Sequence, residues 1–282
     1  MKKFRFLLAV GLILGILTAC GGTENAGQDR ENTILATTYP MYYLTQRLTE
    51  GIEDVTVELM VSEAVSCLHD YTLTTEQMKK IERMDLIVMN GGGLEDFMAS
   101  ALEGVQEEQC IVAGAEFTDP HYWLSPEMYQ EACRNVCEAL KNRDSSMEKL
   151  LDDNLAGLLS ELDALQQELQ AELSDLSCRE LITFHDGFSC FAEAFDLKVV
   201  ASIEEEEGAE ASAKEIQEIC DLIGAHQIPA IFVEKNGATN AAGIIARETG
   251  VGMYTLNTMM DGQTDYMTAM RENVQAVREA LS

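Results

Sequence analysis

The residues that could do chemistry begin with the histidines, of which this chain of 282 residues has four. One of them stands in an unusual stretch, TDPHYWLSP at residues 118–126. Pro120 and Pro126 push the residues before them toward extended conformations, so the stretch predicts a fixed loop. A rigid loop that carries an imidazole either supports the local structure or presents His121 as a ligand. The positions of the other histidines relative to the predicted strands and helices distinguish these two interpretations.

Short apolar runs alternate with helical patterns before residue 115 and again after residue 177. The strands predicted are 33–38, 55–60, 85–90, 109–114, 180–185, 197–202, 229–234 and 252–256. The helices predicted between them are 41–50, 74–84, 94–104, 186–196, 212–226, 238–249 and 264–281. Strand–helix–strand alternation with continuous apolar strands indicates parallel sheets that are covered on both faces. The sequence therefore predicts an α/β fold of two doubly wound lobes.

A long helix is predicted between the two repeats, over residues 145–177. Its leucines recur every three or four residues, which gives one apolar stripe on a continuous helix. A coiled-coil dimer would also use such a stripe. The polar face lacks the paired charges of a zipper, so we favour a backbone helix that joins an N-terminal lobe (33–144) to a C-terminal lobe (178–282), and we expect a monomer.

Three of the four histidines fall at equivalent ends of predicted strands. His69 lies in the loop after the second strand, His121 follows the fourth, and His185 closes the first strand of the second lobe. His226 precedes a strand and therefore lies at the opposite edge. Ligands of open α/β sheets bind beyond the carboxyl ends of the strands. Three neutral imidazoles and one oxygen donor suit zinc and are acceptable to manganese or iron.

Several neighbours of these histidines are candidates for a supporting role. Asp119 and Asp186 flank ligand histidines, and each could accept the second ring N–H and so fix the tautomer. Asp186 could instead cap a helix that begins at Gly187. Glu234 ends a strand of the second lobe and points toward the same cleft by topology. Trp123, the single tryptophan, is expected to pack under the loop and stiffen it.

The N-terminus predicts export and a lipid anchor. A basic start, an apolar run too short to span a bilayer comfortably, and the residues LTAC indicate a signal peptide over 1–19 and acylation of Cys20. An ordinary signal peptide cut nearby is the alternative. Residues 21–32 are polar and glycine-rich, which makes 20–32 a flexible tether. We expect an extracytoplasmic protein that touches the cell membrane only through its lipid.

Charge and cysteine content exclude some partners. The formal net charge of −30 rules against nucleic acid, because phosphate binding needs clustered lysine and arginine. It also argues against a polybasic membrane contact. Apart from Cys20 seven cysteines remain, and no CxxC motif is present. We expect these to be mostly buried free thiols, with Cys133 and Cys137, one helical turn apart, facing the core.

The order of the motifs resembles a known family. The stretches are TTYPMYYLTQRL (37–48), CLHDYTLTTEQM (67–78), NGGGLEDFM (90–98), TDPHYWLSP, FHDGFSCFAEAFDLK (184–198) and EGAEASAKEI (207–216). Together they resemble the metal-binding lipoproteins of bacterial ABC importers for zinc and manganese, in the cluster that has a long interlobe helix. The resemblance implies a receptor without enzymatic activity that delivers its metal ion to an ABC permease and the associated ATPase.

The resemblance also implies a set of ligands. The family histidines correspond to His69, His121 and His185, although Leu68 replaces the usual proline before the first of them. A carboxylate in an E-P-S-like turn corresponds to Glu210. The last family ligand is commonly an aspartate after the final strand, where this chain has Asn257, and Asp261 could compensate for the change. The fourth ligand is therefore open between Glu210, Asn257, Asp261 and water.

Replacing a carboxylate by an amide favours zinc over manganese, which prefers hard oxygen ligands. The His-rich loop of many zinc members is absent here, but that loop is an accessory.

Other classes of protein remain as alternatives. A zinc-dependent hydrolase also uses three histidines and an open position, although no HExxH motif is present. A siderophore or haem receptor of the same architecture would need arginines or aromatic residues in the cleft, and a surface adhesin is a further alternative.

Overall fold

The protein contains two parallel sheets that follow one another along the chain. This is a computed structural model that describes residues 32–63, 65, 68, 71–203 and 211–282. The strands are β1 (Asn32–Ala36), β2 (Val55–Leu59), β3 (Leu86–Met89), β4 (Cys110–Val112), β5 (Glu180–Thr183), β6 (Lys198–Ser202), β7 (Ala230–Glu234) and β8 (Gly252–Leu256). The sheet orders are β2-β1-β3-β4 and β6-β5-β7-β8, and all pairs are parallel. The predicted α/β fold of two doubly wound lobes is confirmed.

The helices pack on both sheets. They are α1 (Tyr39–Thr49), α2 (Thr75–Arg83), α3 (Ala99–Leu102), α4 (Pro126–Arg143), α5 (Glu148–Glu172), α6 (Ser189–Ala194), α7 (Ala213–His226), α8 (Asn240–Thr249) and α9 (Tyr266–Leu281). Side-chain caps mark several starts: Thr74 and Gln77 form a capping box at α2, and Ser212 and Glu215 form another at α7. None of the helices in the described part of the chain is long and apolar enough to cross a membrane.

One helix was not among those predicted. Ser125 caps α4 by accepting the backbone N–H of Met128, and Pro126 occupies the first turn. Proline is favoured there because its missing N–H would have no helical partner. The second proline of TDPHYWLSP therefore begins a helix, and the fixed loop that it was expected to close ends one residue earlier.

The long helix between the sheets is shorter than the periodicity indicates. A 3-10 turn covers Ser145–Met147, and α5 follows over 25 residues. Five of its leucines are buried: Leu151, Leu158, Leu162, Leu165 and Leu169. The helix contacts α1 and α4 on one side and α9 on the other. Ion pairs reinforce both contacts, since Arg47 binds Glu161 and Arg271 binds Glu168, each with two hydrogen bonds.

The main core runs through both lobes without interruption. It joins the first sheet and the buried stripe of α5 to one face of the second sheet, where Leu181, Phe232 and Val274 belong to it. The opposite face of the second sheet has a separate core with α7 and α8, which includes Ile182 and Ile231. The two sheets belong to one compact unit.

The described cysteines are free thiols. Cys133, Cys137 and Cys190 are buried, and Cys110, Cys178 and Cys220 are partly exposed. The core-facing orientation predicted for Cys133 and Cys137 is confirmed, since both side chains belong to the main core. The expectation that most thiols are buried holds for half of those described.

Candidate metal centre

The histidine loop follows β4 and lies on a glycine turn. The carbonyl of Pro120 accepts a hydrogen bond of 2.9 Å from the side-chain amide of Asn90. Gly92 has a φ of +65°, and a Cβ there would lie 2.8 Å from the Cα of Pro120. A glycine is needed at this point both for the backbone conformation and for the close approach. The NGGG stretch therefore supports the loop that carries His121.

Asp119 holds His121 from within the same loop. One carboxylate oxygen, Oδ1, accepts the backbone N–H of His121 at 2.8 Å and lies 3.2 Å from its ring Nδ1. Burial acts to raise the pKa of Asp119, but the hydrogen bonds from His121 outweigh it and lower that pKa below its usual range. His121 is 3% exposed. Asp119 thus occupies the position of the predicted tautomer-fixing partner.

Trp123 fastens the far end of the loop to the second lobe. Its indole Nε1–H donates to the carbonyl of Thr258 at 3.0 Å, and its own carbonyl accepts from the hydroxyl of Tyr266 at 2.8 Å. Both partners belong to the C-terminal half of the chain. The tryptophan is fully buried and its ring lies 5.3 Å from that of His121, so it braces the loop as predicted.

His185 lies two residues beyond the end of β5. Strands β5 and β7 pair with Thr183 opposite Phe232, and the same register brings His185 beside Glu234. The ring Nε2 is 3.5 Å from Oε1 of Glu234, and these two residues are 6% and 5% exposed. A carboxylate at the end of the neighbouring strand therefore accompanies the second histidine, as the topology predicts.

His121 and His185 meet although they come from different sheets. The rings of His121 and His185 have centroids 5.1 Å apart and planes at 73°. In tetrahedral zinc sites with Zn–N bonds of about 2.0–2.1 Å, two ligand rings have centroids about 5 Å apart. The spacing is therefore suited to two imidazoles that bind one ion. The two rings meet because each histidine follows the carboxyl end of a strand, one strand in each lobe.

The predicted ligands His69 and Glu210 lie outside the described residues. Among the residues that are described, no group of three or more His, Cys, Asp or Glu side chains is arranged to hold a metal ion. The complete ligand set therefore stays a prediction, of which the structure shows the pair His121 and His185.

The two other candidates for the fourth ligand have their oxygens engaged. Asn257 follows β8 and is buried, and its Oδ1 accepts the backbone N–H of Met259 at 2.8 Å. Its Nδ2 has no hydrogen-bond partner among the described side chains and backbone groups. Asp261 Oδ2 lies 2.8 Å from Lys235 Nζ in an ion pair, and its Oδ1 accepts the backbone N–H of Gln263 at 3.1 Å. A metal ion bound at either residue would share that residue with these donors.

Burial acts to raise the pKa of Asp261, and its bonds with Lys235 and Gln263 lower it overall. This carboxylate is therefore kept charged by groups of its own lobe. The ion pair with Lys235 balances its charge within that lobe.

One of the two roles predicted for Asp186, that of a helix cap, is wrong. It is exposed, and its Oδ1 accepts the hydroxyl of Ser189 at 3.1 Å. The helix starts at Ser189 with Phe188 in the capping position, so Asp186 does not cap a helix that begins at Gly187. Its predicted contact with the ring of His185 stays a prediction.

His226 lies away from the cleft, as predicted. It ends α7, and its Nδ1 is 2.7 Å from Oε2 of Glu180, the first residue of β5. The amino end of that strand is the opposite edge of the second sheet.

One residue beside the centre was not predicted from the sequence. The thiol of Cys190 donates to Asp119 Oδ2 at 3.2 Å. Only its place five residues after His185 gave a sign of this contact.

The fold and the paired histidines define a class, that of two-lobed receptors with a ligand site between α/β lobes joined by a helix. Residues 34–280 match the profile of the ZnuA family, described as zinc-uptake complex component A, periplasmic. The chain belongs to this family, as the resemblance of its motifs predicted. It is accordingly an extracytoplasmic solute-binding receptor for metal uptake through an ABC importer, and not an enzyme.

Among its relatives is the high-affinity zinc uptake system protein ZnuA of Bacillus subtilis (strain 168), 24% identical over 99% of this chain and 98% of that protein. The zinc-binding lipoprotein AdcA of Streptococcus pneumoniae (serotype 4) is 24% identical over 99% of this chain. The chain spans 61% of the length of that relative. A crystal structure of ZnuA superposes with a TM-score of 0.79 at 25% identity, over 89% of this chain and 99% of the other.

Proposed function

We propose that this receptor captures one zinc ion between its lobes through His69, His121 and His185, with Glu210 as the oxygen donor. The observation that carries the proposal is the meeting of His121 and His185, whose rings are 5.1 Å apart although they come from different sheets. Both are buried, and a site that excludes water strengthens the attraction between ion and ligands. The carboxyl group of Glu234 beside His185 adds an oxygen donor near the site.

Zinc is favoured as the cargo for two reasons. Three imidazoles with one carboxylate are a ligand set typical of zinc, whereas manganese prefers more oxygen donors. The relatives from B. subtilis and S. pneumoniae are themselves named as zinc proteins. Manganese is the next candidate, and iron is a further one.

Delivery would follow the scheme of the family. The N-terminal lobe (33–144) and the C-terminal lobe (178–282) would present the ion, together with helix 145–177, to an ABC permease driven by its ATPase. The signal peptide 1–19, the lipid on Cys20 and the tether 20–32 would keep the receptor at the outer face of the cell membrane as a monomer. Support for the anchor comes from the LTAC sequence and from the lipoprotein name of the S. pneumoniae relative.

Metal content after purification without chelator tests the proposal. We expect the mature protein to carry a single equivalent of zinc by mass spectrometry, and a double variant, His121→Ala with His185→Ala, to carry almost none. His226→Ala is the matched control, because this histidine pairs with Glu180 at the opposite sheet edge. Its zinc content should equal that of the wild type.

Four outcomes would contradict the proposal or part of it. Zinc retained in the double variant, or lost equally in His226→Ala, would show that the metal is held elsewhere. Manganese found in place of zinc would leave the site intact and overturn the choice of cargo. A wild type that stays empty and takes up neither ion on titration would mean that the fold is present without the function.

A further inference from the structure

A buried thiol connects the second lobe to the histidine loop of the first. Cys190 lies in α6 of the C-terminal lobe, and its Sγ is 3.2 Å from Oδ2 of Asp119. A distance of this size is a hydrogen bond for a sulfur donor, and an ionised carboxylate can only accept. The contact therefore crosses between the lobes and points the thiol proton at Asp119.

The two oxygens of Asp119 have separate partners. Oδ1 faces His121, with its backbone N–H at 2.8 Å and its ring Nδ1 at 3.2 Å, whereas Oδ2 faces Cys190. Because the carboxylate accepts, Nδ1 of His121 has to carry the proton, and Nε2 is then the nitrogen with a lone pair for a metal. The thiol limits rotation of the carboxylate and so keeps Oδ1 directed at the ring.

The other side of His121 is held by the same lobe. Trp123 bonds to Thr258 and Tyr266, which follow the last strand of the second sheet. His121 thus stands between two anchors, Asp119–Cys190 before it and Trp123 after it. Only the first of these reaches the imidazole itself through hydrogen bonds.

We propose that Cys190 is a positioning residue of the metal site, which holds Asp119 across the lobes so that His121 presents Nε2 to the ion. This inference rests on the proposed function, and it assigns the thiol a role through Asp119 rather than as a ligand. It also makes the orientation of a histidine in one lobe depend on a side chain of the other. Zinc affinity should therefore respond to the thiol although the thiol does not touch the ion.

Three variants isolate the role of the thiol. Cys190→Ala removes the donor, and Cys190→Ser keeps a donor of similar size at the same place. Cys220→Ala is the control, because this partly exposed thiol lies in α7 against the separate core of the second lobe. Each protein is compared with the wild type in zinc affinity by chelator competition and in thermal unfolding without metal.

We expect Cys190→Ala to bind zinc about tenfold more weakly, at the low end of the effect of residues that orient a ligand. Cys190→Ser should recover most of the loss, and Cys220→Ala should match the wild type. Long-range ¹⁵N–¹H spectra of the metal-free protein supply a second readout, since the chain has only four histidines. The wild-type His121 should show a protonated Nδ1, and Cys190→Ala should show a mixture of tautomers.

Several results would overturn the proposal. One is an unchanged affinity or an unchanged His121 spectrum in Cys190→Ala. Another is an equal loss of affinity in Cys190→Ala and Cys190→Ser with a lower unfolding midpoint, which would indicate packing alone. A thiolate-to-metal charge-transfer band in the Co²⁺-loaded wild type that disappears in Cys190→Ser would make the thiol a ligand instead. If the wild type binds no metal, the proposed function fails, while the metal-free spectra still decide whether Cys190 orients His121.

Discussion

At the scale of single residues, Asn257 stands at the position where the resemblance predicts an aspartate ligand. An aspartate there would offer two oxygens, whereas Asn257 uses its single carbonyl oxygen for the backbone N–H of Met259. Met259 has a φ of +67°, a backbone conformation that is uncommon outside glycine. The amide oxygen therefore stabilises a strained turn, which leaves Glu210 as the better candidate for the oxygen ligand.

We therefore expect substitutions at Glu210 and Asn257 to change different quantities, zinc affinity in one case and stability in the other. Glu210→Gln should weaken zinc binding by about tenfold or more, because it removes an anionic ligand. Asn257→Ala should leave zinc affinity nearly unchanged and lower the free energy of unfolding by about 1 kcal/mol, since the N–H of Met259 loses its acceptor. Chelator competition and urea unfolding measure the two quantities separately. Weaker zinc binding in Asn257→Ala than in Glu210→Gln would identify the amide as the ligand.

At the scale of elements, the start of α9 connects the C-terminal lobe to the loop that carries His121. Asp265 caps this helix by accepting the backbone N–H of Thr268 at 3.1 Å, and Tyr266, the next residue, donates to the carbonyl of Trp123. Burial acts to raise the pKa of Asp265, but its hydrogen bonds with Thr268 and Met267 lower that pKa below the ordinary value. The cap therefore fixes the first turn, from which Tyr266 holds the loop.

The cap gives a stability prediction with a defined pH dependence. Asp265→Ala should lower the free energy of unfolding by about 1 kcal/mol at pH 7, and Asp265→Asn by less, because asparagine also caps. The folded pKa is below the unfolded one, so stabilisation by the charged cap is present above the unfolded value of about 3.9 and is lost as pH falls through the folded pKa. Urea unfolding over a pH series measures this. A wild-type advantage over Asp265→Asn that does not shrink as the pH falls below the unfolded pKa of about 3.9 would contradict it.

Periodicity predicted the strands closely, because apolar runs of four to six residues bounded by polar turns have few alternatives. The misses have local or tertiary causes. α4 was missed because Pro126 favours both a loop and the first turn of a helix, and the cap by Ser125 decides between them. The contact of Cys190 with Asp119 joins residues 71 positions apart. Periodicity has no means of predicting such a pair, and the same holds for the bond from Trp123 to Thr258.

At the scale of the whole molecule, the lobes share one core rather than a hinge of loose strands. The main core passes from the first sheet through α5 into the second lobe, and ion pairs of Arg47 and Arg271 fix both sides of that helix. Buried apolar area that belongs to both lobes is lost if either unfolds alone. The lobes should accordingly unfold together.

The position of Trp123 allows this cooperativity to be measured. It is the single tryptophan, it is buried, and its two hydrogen bonds reach the other lobe, so its fluorescence reports on the junction. We expect urea transitions followed by tryptophan fluorescence and by far-UV circular dichroism to coincide.

Tyr266→Phe removes the hydrogen bond to the carbonyl of Trp123 and leaves that buried carbonyl without this donor. The free energy of unfolding should fall by about 1–3 kcal/mol, while the two transitions still coincide. A fluorescence transition at clearly lower urea would mean that the junction opens before the lobes unfold. In that case zinc should shift the fluorescence midpoint more than the dichroism midpoint, because ligands from both lobes hold the ion.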